Sequence, residues 1–323
     1  MNLRTLSDDR LNSFRRALLE WYDGNKRELP WRKTSDSYRV WVSEIMLQQT
    51  RVAAVLPRYE KFFRRFPTVQ KLAAARLASV LAEWSGLGYY RRARNIHAAA
   101  KQIVRERAGS FPESFEEWRQ LPGIGRYTAA AIASIAFQAP VAVVDGNVER
   151  VLRRLLHVSR DHSWSAAQHL LDPLRPGDFN QAMMELGATI CLPGKPLCGQ
   201  CPITKFCRTR GSGEARARKP KQIKASISFA LATKGESVLL VRRGAGESLM
   251  SGMWELPPLK NPDEDAVLFR IRHSITVTDY VVKVVAQPDF QAENSEWISR
   301  ARLHRLPLTG LAKKILCKAN IIK

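Results

Sequence analysis

Apolar side chains recur every three or four residues through most of the first two thirds of the chain, the period of amphipathic helices. The first such run, Asp9–Asp23, is ended by Gly24 and Asn25 and places Leu11, Phe14, Leu18 and Trp21 on one face. The same period predicts helices over Tyr38–Val55, Pro57–Phe66, Val69–Ala74, Leu77–Trp84, Arg91–Arg107, Glu113–Gln120, Arg126–Phe137, Val148–Val158 and Asn180–Ile190. Because no strand-like alternation of any length precedes residue 225, we predict an all-α first domain.

The pattern changes after Cys207. The stretch RTRGSGEARARKPKQIK is basic and nearly free of apolar residues, which favours a linker that also touches phosphates. Beyond it, β-rich segments alternate with a Gly-containing loop, and a helix closes the chain; the predicted elements are Ile227–Thr233, Ser237–Val241, Val277–Val285 and Leu308–Ala319. We therefore predict a first domain over 1–210, a linker over 211–224 and a small α+β domain over 225–323.

The charge of the chain narrows the class of partner. Its 323 residues include 52 Lys and Arg against 30 Asp and Glu, a net charge of +22, which favours a polyanion such as nucleic acid. An anionic membrane surface also suits this charge, but no apolar run approaches the roughly 18 residues that a spanning helix needs. The N-terminus lacks an apolar signal core, so we expect a cytoplasmic, nucleoid-associated bacterial protein.

A Gly-rich hairpin, Leu121–Gly125, opens the Ala-rich helix Arg126–Phe137. Backbone amides at such a helix start can approach a phosphate closely, because glycine has no side chain in the way. An apolar run, Val141–Val144, then leads to the single carboxylate of Asp145 in a Gly-Asn turn. The alternative is an ordinary helix start followed by a buried strand that ends in a turn aspartate.

Three further segments carry candidate chemistry. Glu44 shares a helical face with Trp41, an apolar setting that raises a carboxyl pKa, although a solvated or paired Glu fits the same pattern. Trp31 lies among Lys and Arg residues, which suits stacking on a base but equally a role in covering the core. The stretch GLGYYRRARN suits insertion of an aromatic into a base stack, or else is a helix start with a solvated basic face.

Four of the five cysteines have the spacing C-x6-C-x2-C-x5-C: Cys191, Cys198, Cys201 and Cys207. In a reducing compartment this clustering indicates a metal centre rather than disulfides. The spacing lacks the paired C-x2-C of common zinc knuckles and favours a [4Fe-4S] cluster, with zinc as the open alternative. The loop is basic, so its predicted role is to present cations to DNA. Cys317 stands apart as a small apolar residue.

These motifs together resemble a known family. LPGIGRYTA, VDGNV and the cysteine spacing are similar to the helix-hairpin-helix DNA glycosylases related to endonuclease III. LPWR, SEIMLQQTRV, GLGYYRRARN and NQAMMELGATIC are similar to adenine DNA glycosylases of the MutY type, and the likeness covers residues 8 to 210. MSGMWELPP and RLPLTGLAKKIL resemble, more weakly, the Nudix-like C-terminal domain of that family.

The resemblance implies a role for each site residue. Glu44 protonates the adenine and activates or orients water, while ionised Asp145 stabilises or captures the sugar cation. Glycosylases of this fold that also cut the strand have a Lys in the hairpin helix, where this chain has Tyr127, so a monofunctional enzyme is implied. The implied DNA contacts are Trp31, Arg32, Gln48, Gln49, Tyr89, Gly123, Gly125, Asn147 and Thr276, with Gln48, Gln49 and Tyr89 filling the gap left by the flipped base.

Two departures from the family pattern change what is expected of the C-terminal domain. The acids after Gly252 are sparse, so nucleotide hydrolysis of the Nudix type is not expected. Where the family has a Phe-Ser-His-like triplet that contacts 8-oxoguanine, this chain has Ile275, Thr276 and Val277. Thr276 retains a hydroxyl, while the imidazole is missing unless His273 takes its place.

The implied partner is duplex DNA that carries adenine opposite 8-oxoguanine or guanine, bound by a monomer. The competing hypotheses are a thymine or other mismatch glycosylase of the same fold, a non-catalytic Fe-S damage sensor and a zinc-stabilised regulator.

Overall fold

The computed structural model describes residues 7–210, 223–244, 247, 250–275 and 277–322. Its chain divides into two compact units, one of Met1–Gln48 with Gln102–Ala217 and the other of Gln49–Lys101 with Arg218–Lys323. None of the helices in these residues is long and apolar enough to cross a membrane. The three-part division predicted from the sequence stays a prediction.

Thirteen α-helices are present within the described residues. In chain order they are α1 (Asp8–Asn25), α2 (Ser37–Leu47), α3 (Val52–Arg65), α4 (Val69–Ala74), α5 (Leu77–Glu83), α6 (Arg91–Arg107), α7 (Phe115–Trp118), α8 (Arg126–Phe137), α9 (Gly146–Leu156), α10 (Ser163–Leu170), α11 (Pro176–Thr189), α12 (Arg300–Leu303) and α13 (Gly310–Lys318). Short 3-10 turns lie at Pro30–Arg32, Arg160–His162, Cys198–Gln200 and Thr204–Phe206.

In the first unit, the main core lies among α1, α9, α10 and α11. The ring of Phe14 on α1 meets Phe179 on α11 and Phe206 of the cysteine loop edge-on, at centroid distances of 6.2 and 5.6 Å. The alanines of α8 allow close approach of its neighbours: a Cβ on Gly177 of α11 would lie 2.6 Å from the carbonyl oxygen of Ser134. Small residues on α8 and α11 therefore set how closely these two helices pack.

The second unit contains α3, α4, α5, the start of α6 and the residues after 222. Its helices pack around aromatic rings, among them Phe62 against Trp84 at 6.0 Å. Hydrogen bonds between described residues join the helices to the C-terminal segment: Ser85 Oγ donates to the carbonyl of Leu308 at 3.1 Å, and Arg94 donates to the carbonyl of Ser251. The helical and C-terminal segments of this unit therefore share specific contacts.

Two small sheets form the C-terminal part, from strands β1 (Ile223–Leu231), β2 (Thr233–Lys234), β3 (Ser237–Arg242), β4 (Trp254–Glu255), β5 (Val267–Ile275), β6 (Thr278–Ala286) and β7 (Ser295–Ser299). One sheet has the order β1-β6-β5, with β1 parallel and β5 antiparallel to β6. The other has the order β2-β3-β4, and β7 pairs with β3. Both sheets contribute to one core that includes Leu240, Val284, Ile298, Leu311 and Ile315.

Several predicted elements are confirmed. Helices α4, α6 and α8 have the predicted bounds. The first strand of the described chain begins at Ile223, four residues before the predicted start at Ile227. The sequence patterns do not predict α10, β5 or β7.

The single helix predicted over Tyr38–Val55 is wrong. The chain forms α2 and α3, separated by a turn in which Gln49 has a left-handed φ of 54°. Helix α3 then continues through Pro57, so the helix predicted to begin there begins at Val52 instead. The periodicity misleads here because apolar positions continue in phase across the turn, while the conformation that breaks the helix leaves no apolar signature.

Candidate active site

The hairpin before α8 presents backbone groups. Gly123 adopts a left-handed φ of 77°, a region in which a side chain is strained. Gly125 is the N-cap of α8, and with no side chain it makes no capping bond to the amides of the first turn. Both glycines are exposed. The two glycines predicted to bind a DNA phosphate, Gly123 and Gly125, therefore lie close together and exposed at the start of α8.

Asp145 is the N-cap of α9. Its Oδ1 accepts hydrogen bonds from the amides of Asn147 at 2.9 Å and Val148 at 2.7 Å, and its Oδ2 accepts one from Asn147 Nδ2 at 3.0 Å. A carboxylate at this position is further favoured by the helix dipole. The side chain predicted as the catalytic anion is thus held by three hydrogen bonds from its own helix start.

The segment that leads into Asp145 is extended but forms no strand ladder. The amide of Val143 instead donates to Asn180 Oδ1 at 3.0 Å, and Asn180 Nδ2 donates to the carbonyl of Val141 at 2.9 Å and to Ser134 Oγ at 2.9 Å. Asn180 is buried on α11. It replaces a neighbouring strand as the partner of this backbone and so fixes the approach to Asp145.

Glu44 and Tyr127 meet directly. The phenol of Tyr127, on the first turn of α8, donates a hydrogen bond to Glu44 Oε2 at 3.0 Å and also lies 3.4 Å from Met184 Sδ. Glu44 is buried on α2, with 6% of its surface exposed, beside the fully buried Trp41. Two residues 83 positions apart in the chain are thereby brought into one polar contact inside an apolar setting.

The environment of Glu44 shifts its protonation into the neutral range. Burial raises the pKa of Glu44 to about 7; the hydrogen bond from Tyr127 and the charge of Arg32 act against the rise, and the charge of Asp145 adds to it. Burial, with the charges of Glu44 and Asp145, also raises the pKa of Tyr127 well above 10, so this phenol stays protonated. The arrangement holds one carboxyl that exchanges its proton near pH 7 close to a second, hydrogen-bonded carboxylate.

A third acid, Glu185 of α11, was not singled out by the sequence patterns. Its side chain is 1% exposed and accepts from Arg27 at 2.6 and 2.7 Å and from Arg32 at 2.7 Å. Burial alone would raise the pKa of Glu185, but the hydrogen bonds from Arg27 and Arg32 outweigh it and lower the pKa to about 2. The signal in the sequence is an acid inside the apolar run NQAMMELGA, but its cationic partners lie more than 150 residues away.

The other residues predicted to contact DNA differ in accessibility. Trp31 is buried, which agrees with packing on the core, and Arg32 has a side chain only 10% exposed and directed to Glu185. Gln48 donates to Thr128 Oγ1 at 2.9 Å, and Asn147 is tied to Asp145 and Arg150. Gln49 and Tyr89, both in the second unit, are exposed and have left-handed φ values of 54° and 46°. Thr276 lies outside the described residues.

The four cysteines follow α11 in one loop and are all half-buried. Burial, with a smaller contribution from the proximity of Cys191, Cys207 and Cys198, raises the pKa of the Cys201 thiol to about 11, so the other three thiols lie within electrostatic range of Cys201. Arg154 donates to Cys191 Sγ at 3.3 Å. Among the described residues, no three His, Cys, Asp or Glu side chains already form a site for a single metal ion. The donor set, four thiols in a short wrap of chain, fits a cluster ligated by cysteine.

Comparison with known proteins places this geometry in a family. Residues 42–176 match the HhH-GPD superfamily of base excision DNA repair proteins. An adenine DNA glycosylase from Buchnera aphidicola subsp. Acyrthosiphon pisum is 36% identical over 78% of this chain and 75% of its own length. The chain belongs to the adenine DNA glycosylase family.

Other members of the family are longer. The adenine DNA glycosylase of Rattus norvegicus is 40% identical over 81% of this chain, which spans 64% of the rat protein. Among solved structures, a thermostable thymine-DNA glycosylase is 28% identical with a TM-score of 0.59, over 63% of this chain and 97% of that structure. The family match confirms the predicted helix-hairpin-helix glycosylase fold, followed here by an α+β region.

Proposed function

We propose that this protein is an adenine-specific DNA N-glycosylase that flips adenine out of a mispair with 8-oxoguanine or guanine and hydrolyses its N-glycosidic bond. The observation that carries the proposal is the hydrogen bond from Tyr127 to Glu44 at 3.0 Å. The carboxyl of Glu44 also lies close enough to that of Asp145 for the charge of Asp145 to raise the pKa of Glu44. Cleavage of this bond passes through a cation-like sugar and a departing base, and therefore needs an acid and an anion in different surroundings. Glu44 and Asp145 have such surroundings.

In the first step Glu44 acts as the acid. With a pKa of about 7 it carries a proton in a large fraction of molecules at neutral pH, and it donates that proton to a ring nitrogen of the flipped adenine. Protonation turns the base into a better leaving group, so the bond to the sugar weakens. Tyr127 holds Oε2 of Glu44 and thereby fixes the orientation of the carboxyl group.

In the second step Asp145 faces the positive charge that develops on the sugar. Its three hydrogen bonds hold the carboxylate in place before the charge appears, so little reorganisation is needed during the reaction. Glu44, now ionised, accepts a proton from the attacking water. The test is Asp145→Asn, in which the amide oxygen still accepts the capping bonds: it should lose base release while keeping the fold, and full activity would overturn the mechanism.

We propose that the enzyme leaves the DNA strand intact. A phenol forms no Schiff base with an opened sugar, and Tyr127 stands where strand-cutting relatives of this fold have an amine, as the resemblance implies. Borohydride treatment during turnover should therefore trap no covalent protein–DNA complex. A trapped complex would show that another amine performs lyase chemistry.

The substrate is tested with purified protein and duplexes that contain A:8-oxoguanine, A:G or T:G. We expect adenine release from the first two. The T:G duplex is the relevant control, because the thymine-DNA glycosylase named above shares the fold. Processing of T:G alone would replace adenine by thymine as the substrate, and release from none of the duplexes would favour a non-catalytic damage sensor.

We also propose that Cys191, Cys198, Cys201 and Cys207 hold a [4Fe-4S] cluster. When bound, the cluster would cross-link the loop that follows α11 and keep its cations facing DNA; no step of the reaction passes through it. Purified protein should absorb near 400 nm and contain iron and sulfide. A colourless protein with one equivalent of zinc would establish the zinc alternative.

A further inference from the structure

A buried arginine joins the two loops that carry Gln49 and Tyr89. Arg92 of α6 is 8% exposed, although the arginines on either side of it in the motif RRAR are more accessible. Its Nη2 donates to Thr50 Oγ1 at 2.8 Å, to the carbonyl of Leu87 at 3.0 Å and to the carbonyl of Gly88 at 3.2 Å. One guanidinium thus contacts the residue after Gln49 and the two residues before Tyr89.

The same guanidinium lies beside two aromatic rings. Its central carbon is 5.5 Å from the ring centroid of Tyr89 and 5.5 Å from that of Trp84. A cation within about 6 Å of a ring is attracted by its electron-rich face. Trp84 also donates from Nε1 to the carbonyl of Gly88 at 3.3 Å, so the turn before Tyr89 is held from two sides.

Both loops contain strained backbone that needs such support. Gln49 and Tyr89 have left-handed φ values of 54° and 46°, and Gly86 and Gly88 in the second loop also have positive φ. A left-handed conformation is strained for a residue with a side chain and persists only where its surroundings impose it. Thr50 Oγ1 further donates to the carbonyl of Leu87 at 3.3 Å, which makes a direct link between the loops.

We propose that Arg92 is a positioning residue that couples Gln49 and Tyr89, so that the two side chains enter the DNA base stack as one unit. The inference rests on the proposed function, because it takes these two residues as the ones that fill the gap left by the flipped adenine. Arg92 itself is too buried to contact DNA. Its charge and planar shape act through Tyr89, Thr50 and the carbonyls between them.

Burial lowers the pKa of Arg92 to about 10, and the guanidinium is still charged at neutral pH. A lysine would retain the charge but not the flat surface beside the rings or the fork of donors. Arg92→Lys and Arg92→Gln therefore separate charge from shape.

The experiment measures DNA unstacking by the full-length protein, with a duplex that carries 2-aminopurine beside the A:8-oxoguanine pair. Its fluorescence rises when the base stack opens and does not require bond cleavage. We expect both Arg92 variants to reduce the unstacked fraction about tenfold, the order expected for loss of one hydrogen bond to a charged group. Lys101→Gln, which removes an exposed cation from the same helix, should match the wild-type protein.

A double-mutant cycle distinguishes positioning from a general loss of stability. In the wild-type background Tyr89→Ala should reduce unstacking about tenfold, whereas added to Arg92→Gln it should cost less than about twofold, because the ring is already displaced. If Tyr89→Ala and Arg92→Gln reduced the unstacked fraction independently, so that their effects multiplied in the double variant, the inference would be wrong. It would also be wrong if Arg92→Gln unstacked the duplex as well as Lys101→Gln does. Should Arg92→Gln not fold, Thr50→Val provides the same cycle with a single acceptor removed.

The same measurements distinguish failure of the catalytic proposal from failure of the inference about Arg92. If the wild-type protein unstacks the duplex but releases no adenine, the catalytic proposal fails while the cycle on Arg92 still gives its result. If the wild-type protein produces no fluorescence change at all, Gln49 and Tyr89 do not enter the stack and the inference is wrong.

Discussion

The phenol oxygen of Tyr127 lies 3.0 Å from Oε2 of Glu44 and donates a hydrogen bond to it. This bond lowers the pKa of Glu44, in opposition to the larger effect of burial. Tyr127→Phe should therefore raise that pKa and move the alkaline limb of base release to higher pH by about half to one unit. Single-turnover rates between pH 6 and pH 9 measure the limb.

The matched control for this prediction is Thr128→Ser, the neighbouring residue on α8, which keeps the hydroxyl that accepts from Gln48. It should leave the pH profile in place. A limb that stays fixed in Tyr127→Phe, or moves to lower pH, would mean that Glu44 is not the acid that the profile reports.

Glu44 should reduce the stability of the folded state at neutral and alkaline pH. Its pKa rises from 4.5 to about 7 on folding, so its contribution to stability is fully present below pH 4.5 and is lost as pH rises through 7. Replacing it by Gln removes the charge that the buried site disfavours. We expect Glu44→Gln to raise the free energy of unfolding at pH 8 by about 1 to 3 kcal/mol, with little effect at pH 5.

Urea denaturation at the two pH values checks this prediction, and the same variant should release no adenine. An exposed acid on α7 gives the control: Glu116→Gln should change stability by less than about 0.5 kcal/mol at either pH. Equal destabilisation of Glu44→Gln at both pH values would contradict the raised pKa.

Arg32 should contribute more to stability than Arg27, although both contact Glu185. The Arg32 side chain is 10% exposed and that of Arg27 is 42% exposed, so loss of Arg32 leaves the buried carboxylate with only its more solvated partner. We expect Arg32→Gln to cost about 2 kcal/mol or more, and Arg27→Gln less than that.

The difference between the Arg32 variant and the wild-type protein also depends on pH. The pKa of Glu185 is about 2 when folded against 4.5 in the unfolded chain, so its stabilisation is present above pH 4.5 and is lost as pH falls toward 2. The deficit of Arg32→Gln should therefore shrink between pH 5 and pH 3. A constant deficit would assign the role of Arg32 to packing rather than to the ion pair.

Gly187 on α11 has no room for a side chain beside Asn147. A Cβ there would lie 2.6 Å from Asn147 Cβ and 3.0 Å from its carbonyl oxygen. Gly187→Ala should therefore displace the start of α9, cost about 1 to 3 kcal/mol of stability and slow base release by misplacing Asp145. Gly24→Ala, where no atom lies within 4 Å of the added Cβ, is the matched control in calorimetry and single-turnover assays.

The helical part of the fold is predictable where local signals agree. In α8 the Gly cap, the alanine run and the breaker at Pro140 all indicate the same bounds, and the structure has them. The break after Leu47 is different, because it depends on a left-handed Gln49 whose support comes from residues nearly 40 positions further along the chain. Strand β5 alternates apolar and basic positions, but it needs β6 as a partner to be a strand.

In the candidate site, too, the sequence predicts some residues, while the roles of others depend on tertiary contacts. Glu44, Tyr127 and Asp145 stand in recognisable motifs, whereas their mutual distances depend on how α2, α8 and α9 pack. Glu185 and Arg92 are invisible to pattern reading because each looks like an ordinary charged residue of a helix. Burial and partners far away in the chain give them their roles.

Helix α9 connects the proposed catalytic carboxylate to the cysteine loop. Asp145 caps its first turn, Arg150 in the next turn donates to the carbonyl oxygen of Cys191, and Arg154 one turn further donates to the sulfur of Cys191. Over this span of about 14 Å a helix behaves as a stiff rod. If the cysteine loop lost its order, the contacts that hold the C-terminal half of α9 would therefore be lost. Because Asp145 lies at the other end of this stiff helix, damage to the loop would displace the reactive carboxylate without any electron being transferred.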